Sequence, residues 1–205
     1  MFKTKNIITI QHPESVHHTN GMIGSWTDWE LTEKGKAQAF NIAKKLKTEL
    51  MPQSYLIYSS TLLRTKQTSE IIGEALNYEV ILTESLIERS LGRANGKSVK
   101  WLKENIELEE VTVYDRCFHD AESRNDVWQR LTPFVDMIMK SKSENIMLVS
   151  HGDTLSIFNA LWLGLEVHYL NKVNLYGVSG GVSFLYQTNS GKRILKRLSD
   201  TSYMY

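Results

Sequence analysis

The chain has 205 residues, of which 41% are hydrophobic and 10% aromatic. This composition suits one globular domain with a substantial core. The 24 basic and 23 acidic side chains give a net charge of +1, which excludes the broad electrostatic field that nucleic-acid and anionic-membrane partners attract. The single cysteine, Cys117, cannot form an internal disulfide, and the apolar stretch after Met1 is too short for a signal peptide. We therefore expect a cytoplasmic protein with neither a nucleic-acid nor a membrane partner.

The first part of the chain alternates strand and helix patterns. Strands are predicted over residues 6–11, 55–59 and 79–83, and helices over 31–50 and 63–76. Thr32 is a plausible N-cap of the first helix. The predicted buried stripe of that helix is Ala37, Phe40, Ala43, Leu46 and Leu50. The order βαβαβ predicts a mostly parallel sheet with helices on its faces.

The pattern changes over about residues 86–122, where short polar and aromatic pieces lack strand alternation. We interpret this segment as a small, partly helical cap inserted in a single domain of residues 1–205, and as the place where substrate specificity resides. A long helix with a kink at Pro133, a strand over 145–150 and a helix over 153–165 follow. Residues 181–188 and 192–198 then predict a hairpin, whose exposed edge suggests a homodimer contact.

Two predicted strands, 6–11 and 145–150, are each followed directly by a histidine, His12 and His151. The carboxyl ends of parallel strands meet at one edge of a sheet, so both imidazoles are expected at one site. A neutral imidazole can attack phosphorus and carry the phosphoryl group. Arg64, at the start of the second helix, could bind phosphate oxygens with its planar fork, and Glu88 could protonate the leaving oxygen.

Five sequence blocks resemble the histidine phosphatase superfamily, the phosphoglycerate mutase-like enzymes. They are QHPES at 11–15, DWELTEKGKAQA at 28–39, YSSTLLRTKQTSEII at 58–72, LIERSLGRANG at 86–96 and LVSHGDTL at 148–155. The resemblance implies a three-layer α/β/α sandwich and a metal-independent phosphohistidine mechanism without a cofactor. It also implies the site residues: His12 as nucleophile, Arg64 and His151 as phosphate ligands, Glu88 as proton donor, and Ser15 and the amide of Gly152 at the phosphate.

The first block departs from the family pattern, Arg-His-Gly-Glu-Ser/Thr. Gln11 replaces the arginine and so brings no charge, which costs roughly 1.5–3 kcal/mol per lost charge-assisted bond. Pro13 replaces the glycine and removes a backbone N–H. His18 stands where the family often has asparagine, so His17 and His18 are candidates to restore positive charge beside a phosphate.

Several alternatives stay open at this point. His17 and His18 could lie in a solvated loop, or bind a metal if a third ligand approached them. Glu88 could simply pair with Arg89 or Arg93. The predicted activity is hydrolysis of a small phosphomonoester. A phosphoglycerate mutase-type transfer, and a weakly active relative that binds a phosphorylated ligand, are the competing functions.

Overall fold

A computed structural model describes residues 2–50 and 52–205. Met1 and Met51, which the predicted domain includes, lie outside the described residues. In chain order the elements are β1 (Lys5–Gln11), α1 (His17–Asn20), α2 (Glu33–Leu50), β2 (Leu56–Ser59), α3 (Leu63–Leu76), β3 (Val80–Leu82), α4 (Val99–Asn105), α5 (Arg124–Lys140), β4 (Asn145–Ser150), α6 (Gly152–Leu163), β5 (Val182–Gln187) and β6 (Arg193–Asp200).

The strands form one six-stranded sheet in the order β3-β2-β4-β1-β5-β6. The first four strands of this order pair in parallel, and β5 and β6 are antiparallel. The predicted mostly parallel α/β class is therefore confirmed. In the pairing of β1 with β4, Gln11 lies opposite Ser150. This register brings the ends of the two histidine-bearing strands side by side.

Successive side chains of the central strands enter opposite cores, as strand geometry requires. Ile7 and Leu148 belong to the core that α5 and α6 cover. Ile8 and Met147 belong to the core that α2 and α3 cover. Because both faces of the sheet are covered by helices, these strands read as continuous apolar runs, and the three-layer sandwich is the result.

Helix α2 confirms one prediction and corrects another. The Thr32 hydroxyl accepts a bond from Gly35 N at 3.0 Å, as an N-cap does. However, Ala37 and Phe40 are exposed, and Phe40 keeps 58% of its surface accessible. The buried stripe of α2 is Gly35, Ala39, Ile42, Ala43, Leu46 and Leu50. Phe40 is adjacent to this stripe in sequence, which places it about 100° away around the helix.

The segment over residues 86–122 is irregular apart from α4 and a short 3₁₀ turn at Gly92–Ala94. It has a small core of its own, in which Phe118 and Ala94 pack with Ile23 from the loop after α1. The rings of Trp101 and Phe118 stack with centroids 5.8 Å apart. This core ties the segment to the loop beside the strand ends. Its role as a specificity cap, within a single domain, stays a prediction.

The C-terminal hairpin forms between β5 and β6, and Gly191 N donates to Thr188 O in its turn. β6 is an edge strand of the sheet. Over residues 2–50 and 52–205, no helix combines the length and apolarity needed to cross a membrane.

Gly35 lies where α2 packs against the loop after His12. A Cβ at Gly35 would overlap the carbonyl oxygen of Glu14, which also accepts a bond from Thr32 N at 3.1 Å. We expect Gly35→Ala to lower the free energy of unfolding by about 1–3 kcal/mol, the usual cost of overpacking. Urea denaturation measures this loss. Ala37→Ser, on the exposed face of the same helix, is the control, and an equal effect of both substitutions would contradict the assigned contact.

Candidate active site

His12 lies directly after β1, and its backbone N donates to Ser150 O at 3.0 Å. The side chain is buried, with 3% of its surface exposed. Its Nδ1 lies 2.9 Å from Pro13 O. A carbonyl oxygen accepts and cannot donate, so Nδ1 carries the ring proton and Nε2 carries the lone pair. The local backbone therefore selects the tautomer in which Nε2 is the nucleophilic atom.

Arg64 occupies the first turn of α3, and its guanidinium reaches the nucleophile. Nε donates to His12 Nε2 at 3.1 Å, Nη1 to Thr27 O at 2.7 Å and Nη2 to Ser25 O at 2.9 Å. The side chain is almost fully buried. Burial lowers the pKa of Arg64 to about 10, which leaves it charged at pH 7. A buried positive charge thus faces the lone pair of His12.

His151 follows β4, and its ring centroid lies 5.2 Å from that of His12. Nε2 lies 2.8 Å from the Ser60 hydroxyl. Nδ1 is buried and has no hydrogen-bond partner among the described residues. Burial first, and then the charge of Arg64, hold the pKa of His151 well below 6.5. The neutral ring therefore has one nitrogen available for a ligand.

His17 and His18, in the short helix α1, complete a cluster around His12. The His18 ring stacks on His12 with centroids 5.5 Å apart, and the His17 ring lies edge-on at 5.7 Å. Burial lowers the pKa of His17 to about 3, and the pKa of His18 is also lowered by burial and by Arg64. Both rings are neutral at pH 7 with the groups present, so they do not supply the positive charge suggested by the sequence.

Ser15 forms hydrogen bonds with both His17 and His18. Its Oγ lies 2.6 Å from His17 Nδ1, and its backbone N donates to His18 Nδ1 at 3.2 Å. Because His18 Nδ1 accepts, the neutral ring carries its proton on Nε2 and can donate from there. The Ser15 side chain is fully buried and does not line the cavity beside His12. Ser15 therefore lies behind the histidines, and its predicted contact with phosphate stays a prediction.

The histidine cluster also has the spacing of a metal site. One ring nitrogen from each of His12, His17 and His18 lies within 4.8 Å of the others, so the third ligand that the sequence did not reveal is His12. However, Arg64 donates to His12 Nε2, and a divalent cation there would face that fixed positive charge. The electrostatics favour an anion at this position.

Gln11 extends into the same cavity from the end of β1. Its Oε1 is buried without a hydrogen-bond partner in the described part of the chain. A Cβ at Gly152 would lie 3.4 Å from Gln11 Nε2, so glycine at this position leaves the amide room beside the start of α6. The backbone N of Gly152 is in the first turn of α6, where helix amides have no intrahelical acceptor. Gln11 and Gly152 thus bring neutral donors to one side of His12.

Glu88 lines the same cavity as His12. Its Oε1 accepts bonds from Arg89 N at 2.9 Å, from Thr154 N at 3.2 Å and from the Thr154 hydroxyl at 3.1 Å. Burial, and then the charge of Asp153, raise the pKa of Glu88. The second oxygen, Oε2, can therefore hold a proton at a higher pH than an ordinary glutamate. This is the property that a general acid requires.

Arg89 pairs with carboxylates other than Glu88. Nε donates to Asp153 Oδ2 at 2.8 Å, Nη1 to Glu110 Oε1 at 2.5 Å and Nη2 to Glu110 Oε2 at 3.2 Å. Arg93 pairs instead with Glu107 at 2.7 Å. The alternative in which Glu88 forms an ion pair with Arg89 or Arg93 is therefore wrong. The sequence analysis missed Asp153 as an influence on Glu88, although Asp153 stands inside the SHGDTL block.

These groups surround a cavity of about 660 Å³. Gln11, His12, His18, Arg64, Glu88 and Gly152 line it directly. His151 is fully buried behind His12. The structure therefore gathers the candidate residues, Ser15 apart, around one nucleophilic nitrogen. Arg64 brings a positive charge to that nitrogen, and Glu88 brings a carboxyl of raised pKa to the same cavity, an arrangement that can transfer a phosphoryl group.

The sequence profile of the Histidine phosphatase superfamily (branch 1) matches residues 7–201. The chain belongs to this family, and the predicted family, enzyme class and α/β fold are confirmed. Members of this class are phosphatases or phosphoryl-transferring mutases that act on small phosphorylated substrates.

Individual relatives carry both kinds of name. The 2,3-bisphosphoglycerate-dependent phosphoglycerate mutase of Bartonella bacilliformis is 25% identical over 203 residues, covering 94% of this chain and 97% of the mutase. Phosphoserine phosphatase 1 of Hydrogenobacter thermophilus is 26% identical over 211 residues, covering 97% and 93%. The structure of a mycobacterial glucosyl-3-phosphoglycerate phosphatase has a TM-score of 0.82 at 21% identity, covering 96% and 99%; it shows the shared fold.

The buried imidazoles predict an acid-labile fold. The pKa values of His12, His17, His18 and His151 are all lowered from 6.5, so the unfolded chain takes up protons first as the pH falls. We expect the free energy of unfolding to decrease below about pH 6.5, by up to about 1.4 kcal/mol per pH unit for each of the buried rings, His12 and His151, and by less for His17 and the exposed His18.

Urea denaturation at several values between about pH 7.5 and pH 5.5 measures this slope. His151→Asn should flatten it, whereas His119→Asn, which removes an exposed imidazole, is the control. A wild-type stability that stays constant over this range would show that the rings are protonated equally in both states.

Proposed function

We propose that this protein is a phosphatase that hydrolyses a small phosphomonoester through a phosphohistidine intermediate on His12. The observation that carries the proposal is the hydrogen bond from His12 Nδ1 to Pro13 O, at 2.9 Å. This bond directs the lone pair of Nε2 toward the position that Arg64 Nε faces. No metal or cofactor enters the proposed reaction.

In the first step, His12 Nε2 forms a bond to phosphorus while the bond from phosphorus to the ester oxygen breaks. The electron pair of that bond stays on the ester oxygen, which takes the proton from Glu88 Oε2. Burial and Asp153 raise the pKa of Glu88, so this carboxyl keeps its proton to a higher pH than an ordinary glutamate does. The products of this step are the free alcohol and phospho-His12.

In the second step, the ionised Glu88 takes a proton from water as the water oxygen attacks the phosphorus of phospho-His12. The bond between phosphorus and Nε2 breaks, and its electron pair returns to the ring. Inorganic phosphate leaves, and Glu88 is protonated again for the next cycle. The step consumes one water molecule and needs no other co-reactant.

The proposed ligands of the phosphoryl group are Arg64, His151, His18, Gln11 and the backbone N of Gly152. Arg64 supplies the positive charge that phosphoryl transfer needs. The other groups are neutral donors, and Ser15 positions two of the histidines. One fixed cation and several neutral donors would bind phosphate more weakly than two arginines, since charge-assisted bonds are the stronger ones.

Phosphoglycerate mutase activity is the second candidate, because the relative from Bartonella bacilliformis carries that name. A mutase must return the phosphoryl group to a bound product instead of to water. The segment proposed as the cap is short, and α4 is its one α-helix among the described residues. A short cap gives water access to phospho-His12, which favours hydrolysis.

Two further proposals concern the setting of the enzyme. Cys117 is free and buried, which is compatible with the predicted reducing, cytoplasmic location. β6 leaves one edge of the sheet without a strand partner, which supports the predicted homodimer contact.

His12→Ala is expected to abolish phosphate release from a generic aryl phosphate and to abolish labelling of the protein by a ³²P-phosphomonoester. Acid-labile, alkali-stable label on the wild type identifies a phosphohistidine. His168→Asn, which removes a histidine outside the site, is the control. Turnover that survives in His12→Ala would overturn the proposal, and interconversion of 2- and 3-phosphoglycerate by the wild type would favour the mutase.

Gln11→Arg tests whether the missing charge limits the site. We expect the variant to bind inorganic phosphate about one to two decades more tightly, because it adds a charge-assisted bond. Isothermal titration measures the affinity, and turnover is followed in parallel. An inactive wild type that gains turnover through this substitution would indicate a degenerate site. Phosphate binding without turnover in either protein would indicate a binding relative.

Asp153→Asn tests the assignment of Glu88 as the proton donor. The charge of Asp153 helps to raise the pKa of Glu88, so its removal should move the alkaline limb of kcat/KM to lower pH. Glu110→Gln also removes a partner of Arg89 but lies outside the groups that shift Glu88, and it serves as the control. An unchanged alkaline limb in Asp153→Asn would exclude Glu88 as the group that sets it.

A further inference from the structure

The part of the cavity beyond the phosphate-binding groups has an apolar wall. Its side chains are Met22 and Ile23 from the loop after α1, Leu91 from the segment after Glu88, and Val99 and Leu102 from α4. Ile23 is buried, whereas Val99 is 40% exposed. An exposed valine at the mouth of a cavity gains from contact with apolar ligand surface.

The charged side chains of this region are already paired. Among the described residues that line the cavity, the arginines are Arg64 and Arg89. Arg64 is held at the phosphate end by His12 and two backbone carbonyls. Arg89 is bound by Asp153 and both oxygens of Glu110, and its Nη1 also donates to Glu122 O at 3.2 Å. Neither arginine is available to a second anionic group of a substrate.

The Ser25 side chain beside Arg89 is also engaged. The Ser25 hydroxyl donates to Arg89 O at 2.7 Å and accepts from Leu91 N at 2.9 Å. Asp153 and Glu110 place negative charge around Arg89, which disfavours a carboxylate entering from the substrate. A second anion would lose its hydration here without gaining a cation, and that loss is costly.

We infer that the preferred substrate is a phosphomonoester of an uncharged, predominantly apolar alcohol, whose carbon skeleton contacts Val99 and Leu102. This inference rests on the proposed phosphatase function and specifies its substrate class. It sets the chain apart from relatives whose names contain phosphoglycerate or phosphoserine, because both of those molecules carry a carboxylate. α4 is then a specificity-determining element.

The test compares primary alkyl phosphates whose ester bonds are chemically alike: 2-phenylethyl phosphate, glycerol 3-phosphate, O-phosphoserine and 3-phosphoglycerate. We expect kcat/KM of the wild type to be at least about tenfold higher for 2-phenylethyl phosphate than for either carboxylate-bearing ester. Glycerol 3-phosphate, which is uncharged beyond its phosphate but polar, should lie between them.

Leu102→Lys provides a variant test of the wall. A lysine there introduces an unpaired cation, so the ratio of kcat/KM for 3-phosphoglycerate to that for 2-phenylethyl phosphate should rise about tenfold or more. Asn105→Lys adds the same charge on α4 outside the cavity lining and should leave the ratio unchanged. Circular dichroism confirms that both variants are folded.

The outcomes separate this inference from the proposed function. Turnover of no ester by the wild type would contradict the phosphatase itself. Turnover of 3-phosphoglycerate or O-phosphoserine at or above the rate for 2-phenylethyl phosphate would overturn the apolar-substrate inference and leave the phosphatase intact. Equal changes in Leu102→Lys and Asn105→Lys would show that the effect is general electrostatics and not contact with the wall.

Discussion

The arrangement of the site depends on one buried, positively charged side chain. Arg64 is 1% exposed, and its three nitrogens donate to His12 Nε2 and to the carbonyl oxygens of Ser25 and Thr27. None of these partners carries a negative charge. Arg64 has no ion-pair partner among the described residues, and Glu88 and Asp28 stabilise its charge only from a distance. In the proposed reaction, a phosphate group beside His12 provides Arg64 with a direct anionic partner. The burial of this cation then contributes to binding and to stabilisation of the transferring phosphoryl group.

The same charge determines the state of the surrounding histidines. Its repulsion adds to burial in lowering the pKa values of His12, His17, His18 and His151. The rings are consequently neutral, and two of the tautomers follow from a local partner: Pro13 O for His12, and Ser15 N for His18. A neutral ring is nucleophilic at one nitrogen and a hydrogen-bond donor at the other. Such a cluster is suited to phosphate chemistry.

The two departures from the family pattern in the first sequence block, Pro13 and Gln11, have different consequences for the site. Pro13 lacks the backbone N–H of a glycine, but its carbonyl orients the nucleophile. Gln11 replaces a cation with an amide whose oxygen has no hydrogen-bond partner over residues 2–50 and 52–205, so the proposed phosphate end of the site has less positive charge. The far end of the cavity is apolar, and its arginine is paired with carboxylates. Reduced charge at both ends is consistent with a substrate whose single anionic group is its phosphate.

By itself the sequence determined the parallel α/β architecture and the approximate site. Continuous apolar runs mark strands buried on both faces, and His12, Arg64, Glu88 and His151 stand where such elements end or begin. Sequence could not assign Phe40 to the exposed face of α2, because hydrophobicity does not specify the rotation of a helix stripe. Tertiary structure alone decided that Arg89 pairs with Asp153 and Glu110 and not with Glu88, and that Ser15 lies behind the histidines. Those choices depend on contacts between residues far apart in the chain, and burial sets the protonation states that follow from them.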